Sequence, residues 1–539
     1  MSSVGILLGQ RIRRDWRQLT LWIVGTAGLA YLAYTGVGES FGTEQERSAL
    51  IATALANPVI LLFRGLPSGV GQSSVMVFLI LPWLAMLAAF MSTFLAVRHT
   101  RGEEEPGRAE LIAATPAGRT APIVATALHG LLANVLLAAL TTAAFLATGS
   151  DPGGSLLVGA AAGSVGVAFL GIGLFAAQLM RTSRGANSVA VWTLLVTFVM
   201  CGIGNALGTP SDDLTRMESS GLTWLSPFGW AENTRAFDED AWWPLALCLG
   251  LGVVLAGVAI ALTAARDLGG SFIAERQGRT TAPASLSGPA GLVWRLTRGS
   301  LLGWAVGGLL TGILATTLAS VVGEIGAQNP AIGQILDQIS GGGDLEQATI
   351  TTFFTMLGIL AACAAVQTVC RARQEESHGT AEPVLATGVG RVRWLTGYLA
   401  LALAGLLAVV AAGAAGSLLG LASRGSDEHL VKTVLVTAAG QVAAASVFLA
   451  LTALVFVLLP RLTIPIGWML VVVGMTLGLF GPIFGFPEWV TNLSPIAVAP
   501  VVQGDDVDVQ GVWWLIAVVG AGVAASLALM RRRELAAGG

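Results

Sequence analysis

Glutamates crowd one short stretch of this sequence, and the stretch occurs twice. Arg98 to Arg119 reads RHTRGEEEPGRAELIAATPAGR, and Arg371 to Arg391 reads RARQEESHGTAEPVLATGVGR. At a constant offset of 272, residues 101–119 and 373–391 agree at 10 of 19 positions. The matches include Arg101/Arg373, Glu103/Glu375, Glu104/Glu376, Gly107/Gly379, Glu110/Glu382 and Arg119/Arg391. Only 11% of the chain is charged, so two acidic islands in one register mark a tandem duplication. Carboxylates held on short helices suit charge-assisted contacts with the arginines or lysines of a partner. Pro106 and Gly107 open a helix near Arg108–Thr115, and Pro116 and Gly118 close it. In the second copy Gly379 opens the helix, Gly388 and Gly390 close it, and Pro383 sits in the first turn, where its missing N–H costs little. The plainer alternative is that Glu110 and Glu382 complement helix N-termini and the other acids form a solvated loop. Recurrence at one offset favours docking.

Other chemistry is missing. The single lysine, Lys432, follows Val431, so the chain has no Gly-Lys-Ser/Thr phosphate loop. It also has no His-Glu-x-x-His, no Cys-x-x-Cys and no Gly-x-Ser-x-Gly. No catalytic residue and no metal site is expected, and the chain reads as a non-enzyme. Cys201, Cys248, Cys363 and Cys370 lie in or at the ends of apolar runs and read as small buried hydrophobes. His129 is the one histidine within a span, and a neighbouring carbonyl is expected to satisfy it.

The elements that position the motif are membrane helices. At 54% hydrophobic residues and a mean hydropathy of +0.75, the apolar residues gather into runs long enough to cross a bilayer. We expect an all-α polytopic membrane protein with twelve spans. In the first half they cover 19–38, 73–97, 122–148, 156–180, 188–208 and 242–264. In the second they cover 300–323, 349–370, 395–421, 433–459, 463–483 and 512–530. Residues 1–18 alternate apolar residues with Arg11, Arg13, Arg14 and Arg17, which suits an amphipathic helix in the headgroup layer. The halves are then 19–279 and 291–539, joined by a linker at 280–290.

The repeat extends beyond the motif. Leu225-Ser226-Pro227 recurs as Leu493-Ser494-Pro495, Trp242-Trp243 as Trp513-Trp514, and Arg266-Asp267-Leu268 as Arg533-Glu534-Leu535. Six spans per half make the repeat parallel. With both termini and both motifs in the cytoplasm, 23 of the 29 basic residues fall inside, the bias that sets orientation. No Asp, Glu, Lys or Arg falls within these twelve spans. Ion-coupled transporters keep titratable groups in their spans, so neither an internal ATPase nor an ion relay is visible. A separate protein is expected to supply the work.

In these features the chain resembles the type-two exporter permeases of ABC transporters. Their loop between spans 2 and 3 carries a Glu-rich, Gly-Thr-x-Glu, Leu-rich, Thr-Pro pattern that forms the helix contacting the ATPase. Glu103-Glu104, Gly107, Glu110 and Thr115-Pro116 match it here, as do Glu375-Glu376, Gly379-Thr380, Glu382 and Thr387. Arg108, Pro383 and Gly388 depart from it. The fused halves and the Gly-Arg flanks at Arg119 and Arg391 are similar to an actinobacterial subgroup of polyketide-antibiotic (tetronasin-like) exporters. The resemblance implies a partner ATPase, a homodimer binding ATP and Mg²⁺, with no cofactor on this chain. It also implies a bacterial plasma-membrane location and a path between spans 2 and 5 of each half. Residues on those spans are Phe90, Phe94, Trp192, Phe198, Phe353, Phe354, Trp468 and Met469, which would suit a hydrophobic or amphiphilic small-molecule passenger. Nucleic acid is not an expected partner. The alternatives are an ion-coupled secondary transporter and an ATPase-linked sensor that moves nothing.

Overall fold

A computed structural model describes all of the chain except residues 1, 57, 274–279, 282, 284–287, 329–344, 424–427, 481–486, 504–505, 509–510 and 535–539. Long helices dominate because a chain crossing lipid must satisfy its backbone internally. In the first half they are α1 (Ser3–Ser40), α2 (Gln72–Arg98), α3 (Ala121–Ala147), α4 (Pro152–Leu179), α5 (Ser183–Ala206) and α6 (Pro244–Ala265). In the second they are α7 (Pro289–Gln328), α8 (Leu345–Ser377), α9 (Arg391–Ala422), α10 (Glu428–Leu458), α11 (Thr463–Met475) and α12 (Val512–Met530). Among the described residues, eleven helices are long and apolar enough to cross a membrane. The expected first span, 19–38, belongs to α1. The chain is an all-α polytopic membrane protein, and the only strands among the described residues form two small hairpins, 209–210 with 217–218 and 501–503 with 506–508.

Residues 3–18 do not form the separate headgroup-layer helix expected from their arginines. They are the first turns of α1, an unbroken helix of 38 residues. At about 1.5 Å per residue it is about 57 Å long, well beyond the about 30 Å of a hydrocarbon core. One face of these turns is buried, with Arg11 at 8% and Asp15 at 3% exposure. Much of the expected linker 280–290 and most of the expected loop 324–348 lie outside the described residues.

The chain divides into two compact units, Met1–Gln277 and Gly278–Gly539. In the first, α4 packs against α2, α3 and α6, and in the second, α10 packs against α8, α9 and α12. Without a hydrophobic drive between helices in lipid, close packing and interhelical hydrogen bonds hold such bundles together. Asn134 on α3 donates to Ser92 Oγ on α2 at 2.8 Å. At the α7–α9 crossing Gly308 and Gly312 bring two backbones together. A Cβ on Gly312 would stand 1.9 Å from the Gly413 carbonyl, and one on Gly308 2.4 Å from that of Val409. Gly312→Leu is therefore expected to cost about 1–3 kcal/mol or more of stability. Gly307→Leu, which meets nothing within 4 Å, should cost far less. Thermal unfolding of the detergent-solubilised variants checks this.

At the end of the first unit opposite the motif, short helices lie at Glu44–Ala56, Pro58–Phe63 and Pro227–Glu232. The last starts at Ser226, whose Oγ accepts from the Phe228 N–H, with Pro227 at the first helical position. Trp243 is exposed and stacks on Trp224 at 5.0 Å.

Candidate functional site

Both motif copies build the same object. Gly107 and Gly379 adopt positive φ, 76° and 73°, a conformation glycine reaches without a Cβ penalty. Each turns the chain into a short helix, Arg108–Ala113 and Ala381–Leu385. Glu110, Leu111, Glu382 and Pro383 are exposed there, Leu111 at 74%. These two helices are where the sequence places them.

The acids that precede them are used differently from expectation. Glu104 accepts from Arg101 Nη1 at 2.7 Å, and both terminal nitrogens of Arg266 reach it at 2.7 and 3.0 Å. Arg101 is fully buried, and its remaining donors go to the carbonyls of Ala177, Gln178 and Gly270. The second unit repeats the arrangement. Arg533 Nη2 holds the two Glu376 oxygens at 2.7 and 2.8 Å, and Arg373 approaches one of them at 3.5 Å. Arg533 also lies over the Phe456 ring, 4.6 Å from its centroid. Each clamp ties the chain at the close of the unit's second span, the short helix Arg101–Glu104 just after α2 or the end of α8, to the chain just after its sixth long helix. Glu104 and Glu376 are thus tied to arginines of their own unit, where the motif's carboxylates were expected to meet those of a partner.

Glu103 and Glu375 are also engaged. Glu103 binds Arg14 at 2.7 Å and Arg108 at 2.6 Å, and Glu375 binds Arg371 at 2.5 Å. Arg119 reaches Asp267 at 3.4 Å, and Arg391 donates to the Arg533 carbonyl at 2.5 Å, so both close their loops onto the chain after the sixth helix. Glu105 accepts from the Ser183 N–H at 2.9 Å and from the Ser183 hydroxyl, anchoring the start of α5. Its counterpart Ser377 bonds the Gln374 carbonyl instead. Arg266 and Arg533 were not among the expected site residues, although the recurring triplet that contains them marks them.

The expected path residues differ in burial within their units. Phe198 and Phe354 are buried in the core, Phe198 against Trp83 and Phe228. Trp192 is 62% exposed and lines an open cleft with Glu105, Ser183 and Arg184. Met469 is exposed and Trp468 half-buried. Phe90 and Phe94 are half-buried and stack on each other at 5.7 Å, and Phe353 is half-buried.

At the far end of the first unit, Glu232 at the end of helix Pro227–Glu232 is 6% exposed and accepts from Asn205 Nδ2 at 2.6 Å. Burial pushes its carboxyl up to about 7, against the smaller opposing effect of the Asn205 hydrogen bond. Below the range of an ordinary carboxylate both folded and unfolded chains hold this proton. As pH rises from there to about 7 only the unfolded chain releases it, so stability falls, and the loss levels off above about 7. Glu232→Gln should remove the dependence and be the more stable chain at pH 8 by about 2–3 kcal/mol. Unfolding temperatures of both proteins across this range check it.

Fold and site together define a class: a multi-pass helical membrane protein of two similar units, each presenting one short helix above a buried arginine–glutamate clamp. A family profile described as the multidrug efflux system permease Rv1217c, C-terminal domain, matches residues 7–263 and 286–531. The multidrug efflux system permease protein Rv1217c of Mycobacterium tuberculosis (strain ATCC 25618 / H37Rv) is 35% identical over 535 residues, covering 98% of this chain and 94% of that protein. The chain belongs to this family of multidrug efflux system permeases.

Proposed function

We propose that the protein is the membrane permease of an ATP-driven ABC exporter that moves hydrophobic or amphiphilic compounds, including polyketide antibiotics, out of a bacterial cell. The observation that carries this reading is the matched pair of exposed short helices bearing Glu110 and Glu382. A partner ATPase dimer, holding ATP and Mg²⁺, docks on both. Each clamp beneath them carries the push into its unit, because a buried ion pair joins the close of the second span to the chain just after the sixth long helix there. The termini and motifs face the cytoplasm in this reading. The name of the 35% identical relative supports drug efflux as the task.

The test is reconstitution. The purified chain alone should neither bind nor hydrolyse ATP, and it should co-purify with a soluble ATPase dimer when the two are co-expressed. Hydrolysis by the isolated chain, or export with no second polypeptide, would overturn the reading.

A second reading is ion-coupled export, which Glu232 favours as a buried carboxyl that changes charge near neutral pH. The two readings separate in vesicles. Under the ATP-driven reading, export continues with ATP when an uncoupler collapses the proton gradient. Loss of export with ATP intact favours the ion-coupled one.

A further inference from the structure

Two imidazoles and a carboxylate converge where α1, α2 and α3 meet in the first unit, and the export cycle proposed above does not use them. Asp15, His99 and His129 are 3%, 3% and 1% exposed. Both histidines aim Nε2 at the same Asp15 oxygen, Oδ2. His99 hydrogen-bonds it, and His129 Nε2 stands 3.6 Å away. That is too long for a hydrogen bond, and this buried nitrogen has no hydrogen-bond partner among the described residues. His129 therefore does not take the carbonyl expected for it at this nitrogen. One ligand atom from each of the three residues lies within 4.8 Å of the others.

Local backbone serves this convergence. α2 ends at Arg98, and Thr100 takes φ −118° and ψ −90° before the short helix Arg101–Glu104 begins. The second unit has no such break, for α8 runs straight through to Ser377. At the motif's offset, His99 and His129 correspond to Arg371 and Leu401. The duplicate thus assembles its helices without these groups, so packing alone does not require them.

We propose that Asp15, His99 and His129 form a binding site for a divalent transition-metal ion of the zinc class. Two neutral imidazoles and one carboxylate match the ligands such ions prefer, whereas Mg²⁺ and Ca²⁺ take oxygen. The ion replaces the proton shared between His99 and Asp15, with each ring bound through Nε2 and protonated at Nδ1. Arg98 Nη2 pairs electrostatically with the other Asp15 oxygen, Oδ1, at 3.1 Å, without the alignment of a hydrogen bond. Arg11 is committed to the Pro122 carbonyl, the Thr126 hydroxyl and the His99 carbonyl. The two guanidinium groups oppose a cation, so the site selects ions with strong imidazole affinity over hard ones. A cavity of about 60 Å³, lined by Arg11, His99, Thr100 and Glu103, lies beside His99. A bound ion would lock three helices together at the base of the first short helix.

The test uses the full-length, tag-free chain in detergent, stripped with a chelator and titrated with Co²⁺ as a visible probe. One Co²⁺ per chain with tetrahedral absorption, displaced by Zn²⁺, is expected. Zinc should also raise the unfolding temperature. His129→Leu, which installs the residue found at 401, should lower Co²⁺ affinity by more than the about 10–100-fold typical of outer-shell changes. X-ray absorption on zinc-loaded wild-type protein gives an answer independent of any variant, with imidazole and carboxylate ligands expected at about 2.0–2.2 Å. Absence of stoichiometric Co²⁺ or Zn²⁺ in the wild type, or an unchanged Co²⁺ spectrum in His129→Leu, would overturn the site and leave a hydrogen-bonded network only.

Discussion

Glu376→Ala should lose about 3–5 kcal/mol of stability, the largest effect expected from any single change in this chain. The Glu376 side chain is 1% exposed and receives both close contacts of Arg533, whose own side chain is 10% exposed. Removing the carboxylate leaves a buried guanidinium facing apolar residues, and that desolvation exceeds the net worth of the ion pair itself. Glu104→Ala should cost less. Its carboxylate is 13% exposed, and Arg101 and Arg266 keep the Gly270 carbonyl as a partner. Glu376→Met combined with Arg533→Met should recover part of the loss, because no unpaired charge then remains on Arg533's side of the clamp. Folded yield by size exclusion and unfolding temperature in detergent measure the series. Equal yield and equal unfolding temperature for Glu376→Ala and wild type would show that the clamp contributes nothing.

The second large effect is functional, with the fold left intact. Glu110→Lys together with Glu382→Lys should abolish co-purification of the ATPase and the stimulation of its hydrolysis by drug. Folded yield should hold, because exposed substitutions away from special geometry stay within about 0.5 kcal/mol. Glu110→Lys alone should weigh more than Glu382→Lys. The first helix also presents Leu111 at 74% exposure, an apolar anchor beside the acid, while the second carries Pro383. Normal assembly and stimulation in the double reversal would place the docking surface elsewhere.

Charge reversal at Glu103, Glu104, Glu375 or Glu376 is a poorer probe of docking than their sequence position suggests. All four are tied to arginines of their own unit. Loss of export in such variants would report a damaged clamp as readily as a lost partner.

What the amino-acid sequence determines by itself here is periodic and local. Apolar runs of about 20 residues become helices because lipid offers the backbone no other partner. The division of the chain into two units and the two short helices follow from a repeat at one offset, with glycine and proline at the turns. Tertiary structure alone decides which way each charge faces. Glu104 and Glu105 are neighbours, yet one enters a buried clamp with an arginine far along the chain, while the other anchors the start of α5 from the surface. Asp15 reads as part of a headgroup-layer helix because arginines surround it, until the continuation of α1 buries that face against α2 and α3. Composition records how many charges a segment carries. Burial depends on which distant helix packs over each of them, and a single span carries no information about that neighbour.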